Sequence, residues 1–128
     1  MNLQLLVAVM AGGALGAAGR HLIGGWMLRH VGNSLPWGTL AVNLIGSFAA
    51  GFLFVWLENR GPSALYWRAF LIVGIVGGFT TYSALMLETL LLTRTGRPGA
   101  LLGYLALTLA GGFFLVWAGA RLAETLRS

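Results

Sequence analysis

The 128-residue chain has no cysteine, no lysine and only 3 acidic residues against 8 cationic ones, all of them arginine. Without a thiol there is no disulfide framework, no thiolate metal site and no cysteine nucleophile. Charged residues make up 9% of the sequence and hydrophobic ones 58%, with a mean hydropathy of +0.84. A water-soluble domain this small could not keep itself dispersed with so little charge, so the composition specifies an integral membrane protein. The formal charge of +5 sits at the ends of apolar segments. That placement ties it to topology and lipid headgroups and argues against nucleic-acid binding. The first apolar segment lacks a basic leader and is too long for a signal core, so it reads as a true span. His21 and His30 stand at or beyond a segment end and make no metal site.

What the chain does have is apolar length. A spanning helix needs about 20 mainly apolar residues. Spans are expected at about 3–28, 37–57, 65–92 and 100–120, forming a single four-helix transmembrane domain over residues 1–128. Arg29–Pro36, Glu58–Ser63 and Thr93–Gly99 read as the turns between them. Both termini and the second turn then share one side, with Arg60, Arg68, Arg121 and Arg127; Arg29, Arg94 and Arg97 lie on the other, together with Arg20 if it faces that end. This even split leaves the positive-inside rule nothing to act on. It predicts insertion in both orientations and antiparallel pairing of two copies; a single orientation set by finer features is the alternative. Small residues four apart predict close helix contacts: Gly12 with Gly16, Gly99 with Gly103, and Gly46 and Ser47 near Gly51.

The third segment is interrupted by Gly77-Gly78-Phe79-Thr80-Thr81-Tyr82-Ser83. Irregular backbone at membrane depth is tolerated only where it is buried in protein or lines a cavity. The stretch is therefore a candidate site, and its adjacent glycines are expected to weaken the helix itself. Thr39, Asn43 and Ser47 share one helical face, and Tyr104 and Thr108 share another. Asn43 reads either as an interhelical hydrogen-bonding group or as the donor amide of an ion path. Tyr104 reads either as an interfacial anchor or as the start of a polar track. Arg20 either snorkels to headgroups or bonds the terminal carbonyls of another helix. Glu88 is the only acid within a span and lies toward its end. Amide and hydroxyl donors, ring edges and few carboxylates suit a small, strongly hydrated anion.

Three motifs, one per span, carry a resemblance: Gly16-Ala17-Ala18-Gly19-Arg20, Trp37-Gly38-Thr39-Leu40-Ala41-Val42-Asn43-Leu44-Ile45-Gly46, and Gly77–Ser83 with Glu88 beyond it. In these the chain resembles the Fluc (CrcB-type) fluoride channel family over essentially its whole length. The resemblance implies an all-α, dual-topology antiparallel homodimer with the third helix broken at the membrane midplane. It implies two fluoride pores built from both subunits, with no chemical reaction, in the cell inner membrane. A central structural sodium ion would be held by the main-chain carbonyls of Gly77 and Thr80. Asn43, Tyr82, Ser83, Leu85, Tyr104 and Thr108 would line the fluoride pore, and Arg20 would be structural. The implied role is export of fluoride that enters as its weak acid and ionises in the cytoplasm.

This sequence departs from the family motif, which continues Thr-Thr-Phe-Ser-Thr-Phe. Tyr82 and Leu85 stand at the two phenylalanine positions, and Ala84 replaces the threonine between the serine and the second phenylalanine of that run. Tyr82 keeps a ring edge and adds a hydroxyl, whereas Leu85 offers neither. Two other readings remain at this point. A small multidrug or cation proton antiporter would need an acid in its first helix, and Leu3–Leu28 has none. A non-conducting partner subunit of a heterodimeric channel is supported by Leu85.

Overall fold

The computed structural model describes residues 2–128, and the regular structure among them is entirely helical. Helix α1 spans Leu3–His30. Its start is fixed by Asn2, whose Oδ1 accepts the Gln4 and Leu5 amides at 2.9 and 3.2 Å. It stops beside Gly32, whose φ of +98° is a left-handed conformation that glycine takes without strain. Helix α2 follows over Trp37–Trp56. The short α3, Ala64–Trp67, leads into a π-helical stretch, Arg68–Val76, and then into α4, Gly77–Phe79. After residues 80–82 come α5, Ser83–Arg94, and α6, Pro98–Arg127, whose proline occupies the first turn.

Leu3–His30, Trp37–Trp56, Ala64–Arg94 and Pro98–Arg127 are each long and apolar enough to cross a membrane. Three of them run past the apolar limits read from composition, most of all α6, which continues through Arg127, whereas α2 stops one residue short. Helical hydrogen bonding does not stop where hydropathy does, because arginine stems lie along apolar surface while their heads reach water.

Two helix pairs organise the bundle. In the first, α1 lies against the π-helical stretch, where Gly12 faces the Phe70 carbonyl and Gly74, and Gly16 faces Ile75 and Phe79. In the second, α2 lies against α6, with Gly51 on the Val116 backbone and Gly119 on the Phe48 carbonyl. A methyl group at any of these four glycines would overlap the neighbouring backbone. Gly99 and Gly103 behave differently from expectation: both face open space within the subunit. The contact there is made from the other side of α6 by Ala100, Leu101 and Leu105, which pack on the central cluster of Leu40, Leu85, Leu92 and Tyr104.

The outer surface is apolar, with Phe113, Phe114 and Trp117 all largely exposed. One end of α2 is closed by arginines. Arg60 Nε donates to the Trp56 carbonyl at 2.8 Å, and Arg68 Nη2 to that of Phe54 at 3.2 Å. Arg127 Nη1 reaches the carbonyls of Val55 and Glu58 at 2.8 and 2.6 Å. Three of the arginines counted for topology therefore also donate to carbonyls at a helix C-terminus, where the helix dipole favours cations.

Candidate functional site

The site begins with a change of hydrogen-bond partners along residues 77–84. Thr80 is extended, with φ −85° and ψ 160°. In an uninterrupted helix the Thr81 amide would bond the Gly77 carbonyl. Here it donates instead to Asn43 Oδ1 at 2.8 Å, and Asn43 Nδ2 donates back to the Thr81 carbonyl at 3.0 Å. The Ala84 amide, which would otherwise bond the Thr80 carbonyl, donates to Thr81 Oγ1 at 3.2 Å and so starts α5. The carbonyls of Gly77 and Thr80 are thereby released from their helical partners. The Gly78 carbonyl is taken by Arg20 Nε at 3.1 Å. Of the two roles open to Arg20 in the sequence, the structure shows the carbonyl bond.

The glycines of this stretch do not themselves bend the chain. Gly77 is helical, at φ −62° and ψ −38°. Gly78 allows contact with α1, since a Cβ there would lie 2.6 Å from the Gly13 carbonyl oxygen. The helical bonding is diverted by Asn43 and by Thr81, whose side chain and backbone offer the amides other partners.

Beside this stretch lies a cavity of about 330 Å³, lined by Asn43, Ser47, Thr80, Thr81, Tyr82, Leu85 and Thr108 among others. Its lining carries no formal charge, and its polar groups are amides and hydroxyls. The N-terminal end of α5 starts at its rim, so the helix dipole there favours negative charge. Ser47 Oγ donates to the Asn43 carbonyl at 2.7 Å. Thr108 Oγ1 is buried with no hydrogen-bond partner among the described residues. A buried, unsatisfied hydroxyl costs about 1–3 kcal/mol. Tyr82 is 74% exposed, and Ser83, the first residue of α5, is also exposed but does not line the cavity. Leu85 touches the cavity yet is buried in the central cluster.

Tyr104 is fully buried rather than interfacial. Its hydroxyl donates to Glu88 Oε2 at 2.7 Å, while Thr39 Oγ1 donates to Glu88 Oε1 at 2.6 Å. One carboxylate thus joins α2, α5 and α6. The sequence marked Thr39, Tyr104 and Glu88 separately, and their union depends on how three helices are rotated against one another. Its one signal was Glu88 itself, a lone acid in a span. Glu88 and Thr39 also line a second cavity of about 440 Å³, which reaches Asn33, Trp37 and Arg97 at the end of the bundle. Arg97 closes part of its rim by donating to the Ser34 carbonyl.

Among the described residues no group of three or more His, Cys, Asp or Glu could hold a metal ion. The arrangement gathers neutral amide and hydroxyl groups beside two carbonyls that have lost their helical donors. Residues 7–120 match the family described as "CrcB-like protein, Camphor Resistance (CrcB)". The chain belongs to the CrcB-like family. It is 53% identical over 123 residues to the fluoride-specific ion channel FluC of Xanthomonas axonopodis pv. citri, covering 96% of this chain and 92% of that protein. It is 51% identical over 119 residues to the protein of the same name from Xylella fastidiosa, covering 93% and 83%. With the FluC of Rhizobium meliloti the identity is 40% over 126 residues, covering 98% and 99%. These CrcB-like relatives are named as ion channels, not as enzymes.

Proposed function

We infer that this chain forms a passive, fluoride-selective channel through which cytoplasmic fluoride leaves the cell and fluoride toxicity is lowered. The observation that carries this reading is the uncharged cavity in which Asn43 pins the Thr81 backbone while the buried Thr108 hydroxyl has no protein partner. The names of its relatives supply the ion. An anion gains from donors already fixed in place, because they need no reorganisation as it arrives. Asn43 spends one amide proton on Thr81, which leaves the other for the ion. The exposed Tyr82 ring extends the lining toward a second copy.

The assembly we propose is an antiparallel homodimer of dual topology in the inner membrane, with residues 80–82 at the membrane midplane and two pores at the interface. The even arginine distribution supports insertion in both orientations. The released carbonyls of Gly77 and Thr80 are hard, neutral oxygen donors and fit a structural sodium ion shared by the two copies. Held by those carbonyls, such an ion would supply fixed positive charge between the copies. Arg20, by holding the Gly78 carbonyl, keeps that oxygen out of the set.

An antiporter reading gains nothing from the structure, since Glu88, the acid inside the bundle, accepts two protein hydrogen bonds from Thr39 and Tyr104. The test is efflux from liposomes containing the purified protein. Fluoride should leave far faster than chloride without any proton gradient, and equal release of both anions would refute the reading.

A further inference from the structure

We propose that Arg68 and Arg127 form a binding site for the phosphate of an anionic phospholipid, beside the last turn of α2. The two guanidiniums are fixed on neighbouring peptide groups. Arg68 Nη2 donates to the Phe54 carbonyl at 3.2 Å, and Arg127 Nη1 to that of Val55 at 2.8 Å. Successive carbonyl oxygens of a helix are about 3.5 Å apart, so these two nitrogens lie within about 10 Å of one another. Among the described residues neither arginine pairs with a carboxylate; the ion pair at this end joins Arg121 and Glu124 at 3.8 Å. Glu58 offers Arg127 its main-chain oxygen, at 2.6 Å, and not its carboxylate. Two like charges set this close raise each other's energy, and an anion between them relieves it. Each guanidinium keeps further N–H groups in a planar fork, the geometry that suits phosphate.

The pair is also held still. Arg68 lies over the Phe54 ring, 5.2 Å from its centroid, and Arg127 bonds two carbonyls at once. Donors fixed in advance lose little freedom when a ligand arrives. Because α2 is a span that ends at Trp56, the pair stands where headgroups meet the apolar core. Large apolar side chains on the same part of the bundle stay exposed: Phe54 on α2, Leu65 and Trp67 on α3, and Leu122 and Leu126 on α6. They offer acyl chains a surface that inorganic phosphate cannot use, and this makes the occupant a lipid. The opposite end of the bundle carries charge without this order. Arg29 and Arg94 are exposed there and bond no carbonyl among the described residues.

The test titrates the detergent-solubilised protein with phosphatidylglycerol or with phosphatidylcholine of the same chains, and counts retained lipid by native mass spectrometry. Wild type should retain phosphatidylglycerol in preference, and inorganic phosphate in large excess should not displace it. An arginine near an anionic lipid contributes about 1 kcal/mol, so Arg68→Gln with Arg127→Gln should weaken that retention about thirtyfold. Arg29→Gln with Arg94→Gln removes the same charge from the other end and should leave it within about twofold of wild type. Should the first pair of substitutions disturb folding, Arg127→Gln alone, in the last turn of α6, is expected to weaken retention about fivefold. Equal retention of the two lipids overturns the proposal, as does an equal loss in the two double variants, which would reduce the effect to net charge. Displacement by inorganic phosphate would show a site for the free anion and overturn the lipid as its occupant.

Discussion

The two cavities that α5 helps to line are finished differently, one around the charged Glu88 and one around neutral amides and hydroxyls. Around Glu88, each carboxylate oxygen has a hydroxyl donor, Thr39 on one and Tyr104 on the other. Around Asn43, the amide is also engaged, but Thr108 Oγ1 has no partner and Tyr82 stands exposed. Buried polar groups are normally satisfied within the fold. A closed network therefore marks the part of the molecule that holds the helices together. An open one marks the part that the proposed channel leaves to an ion or a second copy.

The largest effect is expected where the open side is given a charge. Asn43→Asp places a carboxylate beside the ion, and at about 5 Å and an effective dielectric of roughly 20 the repulsion is about 3 kcal/mol. It also turns an oxygen toward the Thr81 carbonyl that now receives Nδ2. Fluoride efflux should fall by about a hundredfold; flux within a few-fold of wild type would remove Asn43 from the path.

The closed side should respond in stability. Glu88→Gln replaces an acceptor of two hydroxyls with a group that must point a donor at one of them. Hydrogen bonds to charged groups are worth about 1.5–3 kcal/mol, so a loss of about 2 kcal/mol is expected in detergent unfolding measurements. Tyr104→Phe should cost less, and the double variant should fall short of the sum because the two share one bond. Additive losses would show that Glu88 and Tyr104 act separately.

Thr108→Val should show the smallest structural effect. It removes a hydroxyl that has no partner and keeps the shape, so stability should hold or rise by up to about 1 kcal/mol. Fluoride flux should nevertheless drop several-fold. A stability loss as large as that of Glu88→Gln would mean that the two cavities are not finished differently after all.

Much of this was legible from residue types. Long apolar runs separated by arginine-bearing turns specify four helices able to cross a membrane, because hydropathy over about 20 residues leaves little else. Asn43 and the stretch 77–83 stood out because polar groups at that depth are rare. The rest depends on how the helices are rotated about their axes, which spacing does not fix. Spacing placed Thr39 and Asn43 on one face but did not show that one bonds a carboxylate and the other a peptide. Gly77 and Gly78 looked like the cause of the irregular backbone, yet Gly77 is helical and Gly78 seats α1. Gly99 and Gly103 carried a packing spacing and face open space, because Ala100, Leu101 and Leu105 make the contact.

The central claim is passive conduction of fluoride past Asn43 and Thr108, and the reversal potential of the purified protein in a planar bilayer tests it most directly. With fluoride, chloride and pH gradients set independently across the membrane, the account predicts a current that reverses at the equilibrium potential for fluoride and ignores the other two gradients. A reversal potential that follows chloride, or one that shifts with the proton gradient, would contradict it.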